Sequence, residues 1–525
     1  VVRHLFREVE IILLTALILA TRVANYHDVF VGGNVYFTDA DCYSRMTRVQ
    51  MCAAHPGLIV RHHNFENYPV GTTPHTSAPL DYLILLCSLL LKPFTQHALD
   101  LSGAFISPVL ALVGGWFLWW WSRRMKFRFR WTGLTFYAVS PILVHGTELG
   151  RPDHQSLLML LVAVAVCAEW SYRKEQSRMW STVSAAAWAL ALWVSIYEPL
   201  ILFALIVFVS FLTDPRIIFG QERRTGWLVF AVIIFVALLV EQRLPALSLH
   251  SSELFRNWSR IIGELQSVRL FDPIWFRWVG YLLVVSPLLF WQSIRQRITP
   301  GFVIVLLVAT FGLTMWQARW SYFFVTIFAI VVPALLQPIV SRAAVWTAFA
   351  LSMFPILNEW DERLWPNEST VALETEHRIE SIQLRELALM IRSSKINAFV
   401  APWWISPEIA YWSGQPGVGG SSHESLEGNA DSAHFYLATD AEEARAIVKT
   451  REVQWVFASD ADRVAGNCAT VLGHRSIPRH PFCEILDRTP AQAPPFLSLA
   501  GQNAAAKLFR VVNNLKNLAF SRGIR

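Results

Sequence analysis

Eleven apolar runs, over residues 8 to 25, 101 to 121, 131 to 147, 156 to 172, 180 to 196, 199 to 213, 227 to 241, 275 to 292, 301 to 316, 320 to 338 and 343 to 357, set the terms for this chain. At roughly 14 to 22 residues each, they suit helices that cross a bilayer. A backbone in hydrocarbon must satisfy its own hydrogen bonds, so the expected class is a polytopic α-helical membrane protein with about eleven transmembrane helices. Composition agrees: 525 residues that are 54% hydrophobic and 16% charged are too apolar for a soluble multidomain protein. The net charge of +6 sits in short basic stretches between the runs, so no nucleic-acid partner is expected. Val2-Arg3-His4-Leu5-Phe6-Arg7 is a basic start with no small-residue cleavage site after it, and the first run is expected to be a retained span.

Orientation follows from placing basic loops inside. With the N-terminus cytoplasmic, Ser122 to Arg128, Arg173-Lys174, Arg216 to Arg224, Arg295-Gln296-Arg297 and Arg342 all fall on the cytoplasmic face of a plasma (inner) membrane. The scheme requires that Leu80 to Leu91, about 12 apolar residues, lie at the interface or re-enter rather than cross. Residues 26 to 100 are then one large external loop within a transmembrane domain of residues 1 to 357. Residues 358 to 525 change character. Amphipathic helical stretches (Glu376 to Arg392, Ala441 to Lys449) alternate with short apolar strands (Ala398 to Ala401, Val453 to Ala458), which predicts an α/β domain on the extracytoplasmic side. Cys42 with Cys52, and Cys468 with Cys483, are external in this scheme and open to disulfide formation.

Charged motifs punctuate the external face. Asp39-Ala40-Asp41 begins about a dozen residues after the first apolar helix, Asp153 opens another span, and Glu264 and Arg319 flank later ones. Two carboxylates just outside a bilayer can hold a divalent cation against a phosphorylated lipid headgroup, and an arginine's planar fork suits the same phosphate. Each residue also has a plain structural use. Asp39 or Asp153 can be a solvated loop residue, Glu264 can pair with Arg256 or Arg260, and Arg319 can snorkel to headgroups as an anchor. The Trp116 to Trp121 cluster reads as an aromatic belt, and His75 as a loop hydrogen-bonder.

Together these motifs resemble the catalytic subunits of oligosaccharyltransferases, within the C-type membrane glycosyltransferases. The likeness is carried by Asp39 to Arg48, Asn67 to His75, Pro79 to Tyr82, Gly150-Arg-Pro-Asp-His-Gln155, Ile262 to Gln266, Gln317 to Trp320 and Trp403-Trp404, in the family's order. It implies transfer of a glycan from a polyprenyl-linked donor to an exported acceptor, protein or other. By the resemblance Asp41 and Glu264 are catalytic, and Asp41, Asp153 and Glu264 hold a divalent metal, Mg²⁺ or Mn²⁺, with Asp39, His154 and Gln155 as further ligand candidates. Such an ion stabilises the departing phosphate as a Lewis acid. Arg319 is implied to bind the donor phosphate, assisted by Arg48 and Arg151. Acceptor binding falls to Trp403, Trp404, Ser406, Glu408 and His423.

Two departures stand out. The position two after the second aspartate, often acidic in the family, is Gln155, and His154 between them turns the donor set toward Mn²⁺ or another borderline metal. The family's Trp-Trp-Asp-Tyr-Gly reads Trp403-Trp404-Ile405-Ser406-Pro407, and isoleucine cannot accept a hydrogen bond from a serine or threonine hydroxyl. A transferase using a polyprenyl-phosphate monosaccharide is the second reading, and a lipid-linked sugar flippase the reading from another class. Charges gathered on one face, and no visible internal repeat, speak against the flippase.

Overall fold

Each of the eleven apolar runs becomes helix in the computed structural model, which describes residues 2–243 and 252–512. Four helices, Ala98–Arg124, His154–Glu175, Gln221–Glu241 and Ala318–Leu336, are long and apolar enough to cross a membrane, and four shorter apolar ones accompany them. Three predicted spans break in the middle. Ser140 separates Arg130–Val139 from Pro141–His145, Gly280 separates Ile274–Val279 from Leu282–Arg295, and Met353 separates Arg342–Ser352 from Phe354–Leu364. Gly280 is required where it stands: its φ is +68°, and a Cβ there would lie 2.3 Å from the Ser352 carbonyl oxygen. Pro79–Leu91 is a helix of 13 residues, about 20 Å long and short of the ~30 Å hydrocarbon core.

The chain divides into two units. The first comprises Val1–Val29, Thr76–Leu247 and Glu264–Ser369, and the second Phe30–His75, Ser248–Gly263 and Thr370–Arg525. In the first unit Ala318–Leu336 is almost wholly buried at the centre. Gln221–Glu241 instead presents Leu228, Val232, Phe235 and Leu239 outward, an apolar stripe that calls for lipid. Charge inside this unit is paired. Glu169, fully buried, takes Arg223 at 2.8 Å and Arg173 at 3.3 Å, because an unpaired buried carboxylate is far costlier than a paired one. Several apolar helices and the paired interior are those of a multi-pass membrane protein. Trp119 and Trp121 of the tryptophan cluster are buried in this core while Trp116 and Trp120 face outward, so only half of it has the exposure of a belt.

The second unit holds a four-stranded mixed sheet. Ala398–Val400 runs parallel to Val453–Ala458, which pairs antiparallel with Lys507–Val511, itself antiparallel to Leu497–Gln502. Helices Ser406–Ser413, Leu426–Leu437, Ala441–Thr450 and Ala461–Leu472, and Glu368–Met390 from Thr370 on, belong to the same unit. Residues 513 to 525 of the expected C-terminal domain lie outside the described residues.

Residues 30 to 75 pack with these C-terminal segments. Backbone bonds run from Gly417 N to Phe65 O (2.9 Å) and from Tyr68 N to Gly417 O (3.1 Å). Arg451 donates to Asn67 Oδ1 at 3.0 Å, to the Tyr68 carbonyl at 3.2 Å and to Asp431 at 2.6 Å. Among the described residues no disulfide forms, and all six cysteines are present as thiols. Cys42 and Cys52 share the helix Ala40–Ala54, where ten residues separate Cα atoms by about 15 Å, too far for a bridge. Burial holds the Cys468 and Cys483 thiols well above the usual range, the latter at about 12, which keeps them from reacting as thiolates.

Candidate functional site

The first acidic motif opens the helix Ala40–Ala54. Asp39 is its N-cap, with extended backbone (φ −154°, ψ 174°) and a carboxylate that accepts from Cys42 N at 2.9 Å, the usual service of aspartate at that position. Asp41 stands exposed in the first turn, where the helix dipole favours negative charge. Arg48, two turns on, is buried, within electrostatic reach of His63 and Glu66.

Helix Ser406–Ser413 packs on this one through aromatic rings: Tyr43 meets Tyr411 (5.6 Å) and Trp412 (6.3 Å), and Phe37 meets Tyr411 edge-on (5.5 Å). The packing brings the first acidic motif and the Trp403 segment to one cleft of about 230 Å³, lined by Asp39, Tyr43, Trp404, Ile405, Glu408 and Arg463, among others. Burial raises the Glu408 carboxyl to about 7, and the Tyr43 hydroxyl donates to it at 3.3 Å. Arg463 lies over the Trp404 ring at 5.0 Å. Trp403 does not line the cleft and packs against Trp258 and Trp404. Ser406 is buried, with its hydroxyl donating to the Gly419 carbonyl at 2.8 Å, so it fixes the loop that follows.

His423 also belongs to the second unit, whereas Arg151, Asp153, His154, Gln155, Glu264 and Arg319 belong to the first. Asp153 is the N-cap of His154–Glu175, and its Oδ1 accepts from both the backbone N and Nδ1 of His154 at 2.6 Å. A neutral imidazole donating through Nδ1 carries its lone pair on Nε2. Glu264, in a single helical turn, accepts from the Tyr322 hydroxyl at 3.1 Å and from Arg151 at 3.4 Å, so its structural partner is Arg151 rather than a neighbour in sequence. Tyr322 in turn meets His145 Nδ1 at 2.9 Å. Arg319 is four-fifths buried and pairs with the fully buried Glu198 at 2.5 Å, and it lies within electrostatic reach of Glu264 and Asp153. Glu198 was not singled out from the sequence, although an ionisable residue opening an apolar run is itself a signal.

Gln155 supplies the test of whether a divalent ion suits this cluster. It is 1% exposed, and neither its Oε1 nor its Nε2 has a hydrogen-bond partner among the described residues. A buried, unsatisfied carboxamide two residues from Asp153 is the kind of group a bound ligand satisfies. By donor type, Gln155, the carboxylates of Asp153 and Glu264 and the imidazole of His154 are mostly oxygen ligands of the kind that Mg²⁺ or Mn²⁺ takes. Asp153, His154 and Glu264 are not drawn to within 4.8 Å of one another. Among the described residues, three such donors approach that closely only at His75, His423 and Glu424.

No family model matches this chain, and no curated protein matches it in sequence. Solved structures do match. The Archaeoglobus fulgidus oligosaccharyltransferase in its apo form aligns with 98% of this chain and 81% of its own, at 12% identity and a TM-score of 0.68. That protein has also been solved with Zn and sulfate, and with an inhibitory peptide and a dolichol-phosphate. ArnT from Cupriavidus metallidurans, bound to undecaprenyl phosphate, aligns with 97% of this chain and 98% of its own, at 12% identity and a TM-score of 0.57. The mycobacterial arabinofuranosyltransferase AftD aligns with 96% of this chain and 40% of its own, at 13% identity and a TM-score of 0.55. Likeness at such identities speaks for architecture, and the architecture is the one the motifs resemble: this chain has the C-type membrane glycosyltransferase fold of the oligosaccharyltransferases and ArnT.

Proposed function

We propose that this protein transfers a glycan from a polyprenyl phosphate or pyrophosphate to an exported acceptor, on the extracytoplasmic face of the plasma (inner) membrane. The observation that carries the reading is the polar cluster of Arg151, Asp153, Gln155, Glu264 and Arg319 within an apolar helical unit. Ionisable groups set among apolar helices mark function by default. Asp41, Asp153 and Glu264 hold the divalent ion, Mg²⁺ or Mn²⁺, with Asp39, His154 and Gln155 able to complete its shell. When bound, the ion supplies Lewis-acid stabilisation of the departing phosphate. Arg319 offers the donor phosphate the N–H groups that Glu198 leaves unused, since a guanidinium carries five. Arg151 holds Glu264, and the Tyr322 hydroxyl donates to the same carboxylate oxygen.

Eleven crossings put Arg124 to Arg128 inside and both acidic motifs outside. Thiol labelling of single cysteines tests this at three exposed positions. Lys126→Cys is expected to be shielded from an impermeant reagent, whereas Asn64→Cys and Glu427→Cys are expected to react from outside. External labelling at 126 would mean that Pro79–Leu91 crosses, and would put the two acidic motifs on opposite faces.

The acceptor is read by the cleft between the helices Ala40–Ala54 and Ser406–Ser413. Ile405 lines it where the family carries aspartate, so removing the hydroxyl from an Asn-x-Ser/Thr acceptor peptide is expected to change the rate less than about tenfold, the effect of ~1.4 kcal/mol. Residual dependence is expected to come through Glu408. Its carboxyl, near 7, accepts a hydroxyl hydrogen bond best once ionised, so the dependence rises with pH through neutrality and loses that pH profile in Glu408→Gln. A 100-fold loss in the wild type would show that another group has taken over the aspartate's task. The length of ArnT matched, 98% of that chain, together with Ile405, supports the second reading, a monosaccharide moved from polyprenyl phosphate to a lipid, glycan or hydroxylated residue. Acceptor profiling with those three classes separates the two.

A further inference from the structure

A second group of metal-binding side chains lies in the unit that contains the sheet. His75, His423 and Glu424 each offer a ligand atom, and the three atoms lie within 4.8 Å of one another. His75 Nδ1 is 2.7 Å and His423 Nε2 3.5 Å from Glu424 Oε1, and the two imidazole rings are 5.0 Å apart. Around a tetrahedral zinc with bonds of ~2.0–2.1 Å, neighbouring donors sit about 3.4 Å apart. The His423 to Glu424 pair already has that spacing, and the His75 side chain needs to move by less than about 1 Å.

The carboxylate itself points to a cation ligand. Glu424 Oε1 accepts from both the backbone N and the ring of His75, while Oε2 is cut off from solvent and has no donor in full hydrogen-bond geometry, with Ser422 nearby. A buried carboxylate oxygen without a donor is costly, and a metal bond removes that cost. Around it the loop is fixed. Glu66 accepts from Ser421 N (3.3 Å), Ser421 Oγ (3.4 Å) and Ser425 Oγ (3.4 Å). Gly420 is needed there, because a Cβ would come within 2.8 Å of the Glu66 side chain. The two histidines remain partly exposed, at 36% and 25%, which leaves a path for an ion and a fourth position for water.

We propose that His75, His423 and Glu424 form a divalent-metal site, separate from Asp41, Asp153 and Glu264, that takes Zn²⁺ or another borderline cation and ties the first-loop segment of this unit to the Gly419–Ser425 loop. Two imidazoles and one carboxylate are a zinc-type donor set, whereas Mg²⁺ prefers oxygen. The purified full-length protein, stripped of metal in detergent and titrated with Co²⁺, is expected to develop an intense four-coordinate ligand-field band. Zn²⁺ is expected to displace that band stoichiometrically. Glu424→Gln, or His75→Gln with His423→Gln, is expected to abolish the band and remove one bound equivalent of Zn²⁺. Asp153→Asn is expected to leave it intact, so failure of the proposed catalytic metal and failure of this site are read separately. A weak octahedral spectrum from the wild type overturns the proposal whatever the variants do, and so does equal Zn²⁺ binding by wild type and Glu424→Gln.

Discussion

Asparagine in place of Asp153 is expected to cut glycosyl transfer about 10³-fold while leaving the protein folded in the membrane. Asp153 caps His154–Glu175, and in the proposed function it also carries charge to the ion. Asparagine caps as well as aspartate but brings no charge, so the variant separates the two. Asp41→Ala and Glu264→Ala are expected to lose as much, since an electrostatic contribution to a developing charge is worth about 10²–10³-fold per group. Chelation is expected to silence the wild type, and Mn²⁺ or Mg²⁺ to restore it. Rates are measured with a polyprenyl-linked donor in detergent, and retention of fold by thermal unfolding. Wild-type turnover by Asp153→Asn, or in excess chelator, would remove the ion from the mechanism.

The Arg319 to Glu198 pair gives the second large effect. Glu198 is fully buried and its partner four-fifths buried, so truncating either leaves a charge stranded, at a cost of about 3–5 kcal/mol. Glu198→Ala is therefore expected to lower stability by that amount, read as denaturant or thermal unfolding in detergent. Arg319→Lys keeps the charge opposite Glu198 but gives up the planar fork. It is expected to hold stability within about 1 kcal/mol while transfer falls more than tenfold, chiefly through KM for the donor. Full activity of Arg319→Lys would mean that the arginine is only the counter-ion of Glu198.

How far the sequence revealed this molecule depends on the range of each interaction. Helix positions were legible because apolar runs and the residues that end them are local. Val453 to Ala458 matches its strand for the same reason, and Glu376 to Arg392 overlaps the helix Glu368–Met390 but runs two residues past its end. The breaks at Ser140, Gly280 and Met353 were not, because an apolar window averages across one residue. Strands Leu497–Gln502 and Lys507–Val511 were missed: the first alternates little and carries Gly501. The partnership of residues 30 to 75 with the C-terminal segments rests on pairs such as Asn67 with Arg451 and His75 with Glu424, roughly 350 or more positions apart, which no local pattern encodes. The candidate site was legible by residue type and order. Its partners were not: Glu198 pairs with Arg319 from another helix, Tyr322 holds Glu264 and meets His145, and Glu66 and Glu424 lie in stretches that read as loops.

Transfer itself is the claim on which the rest depends. The protein reconstituted in proteoliposomes with a radiolabelled polyprenyl-linked sugar, in the presence of exported-acceptor peptide, lipid and glycan, is expected to move label onto an acceptor, stop with chelator and resume with Mn²⁺ or Mg²⁺. Passage of the labelled lipid across the bilayer with no label on any acceptor would contradict the account and assign the chain to lipid transport.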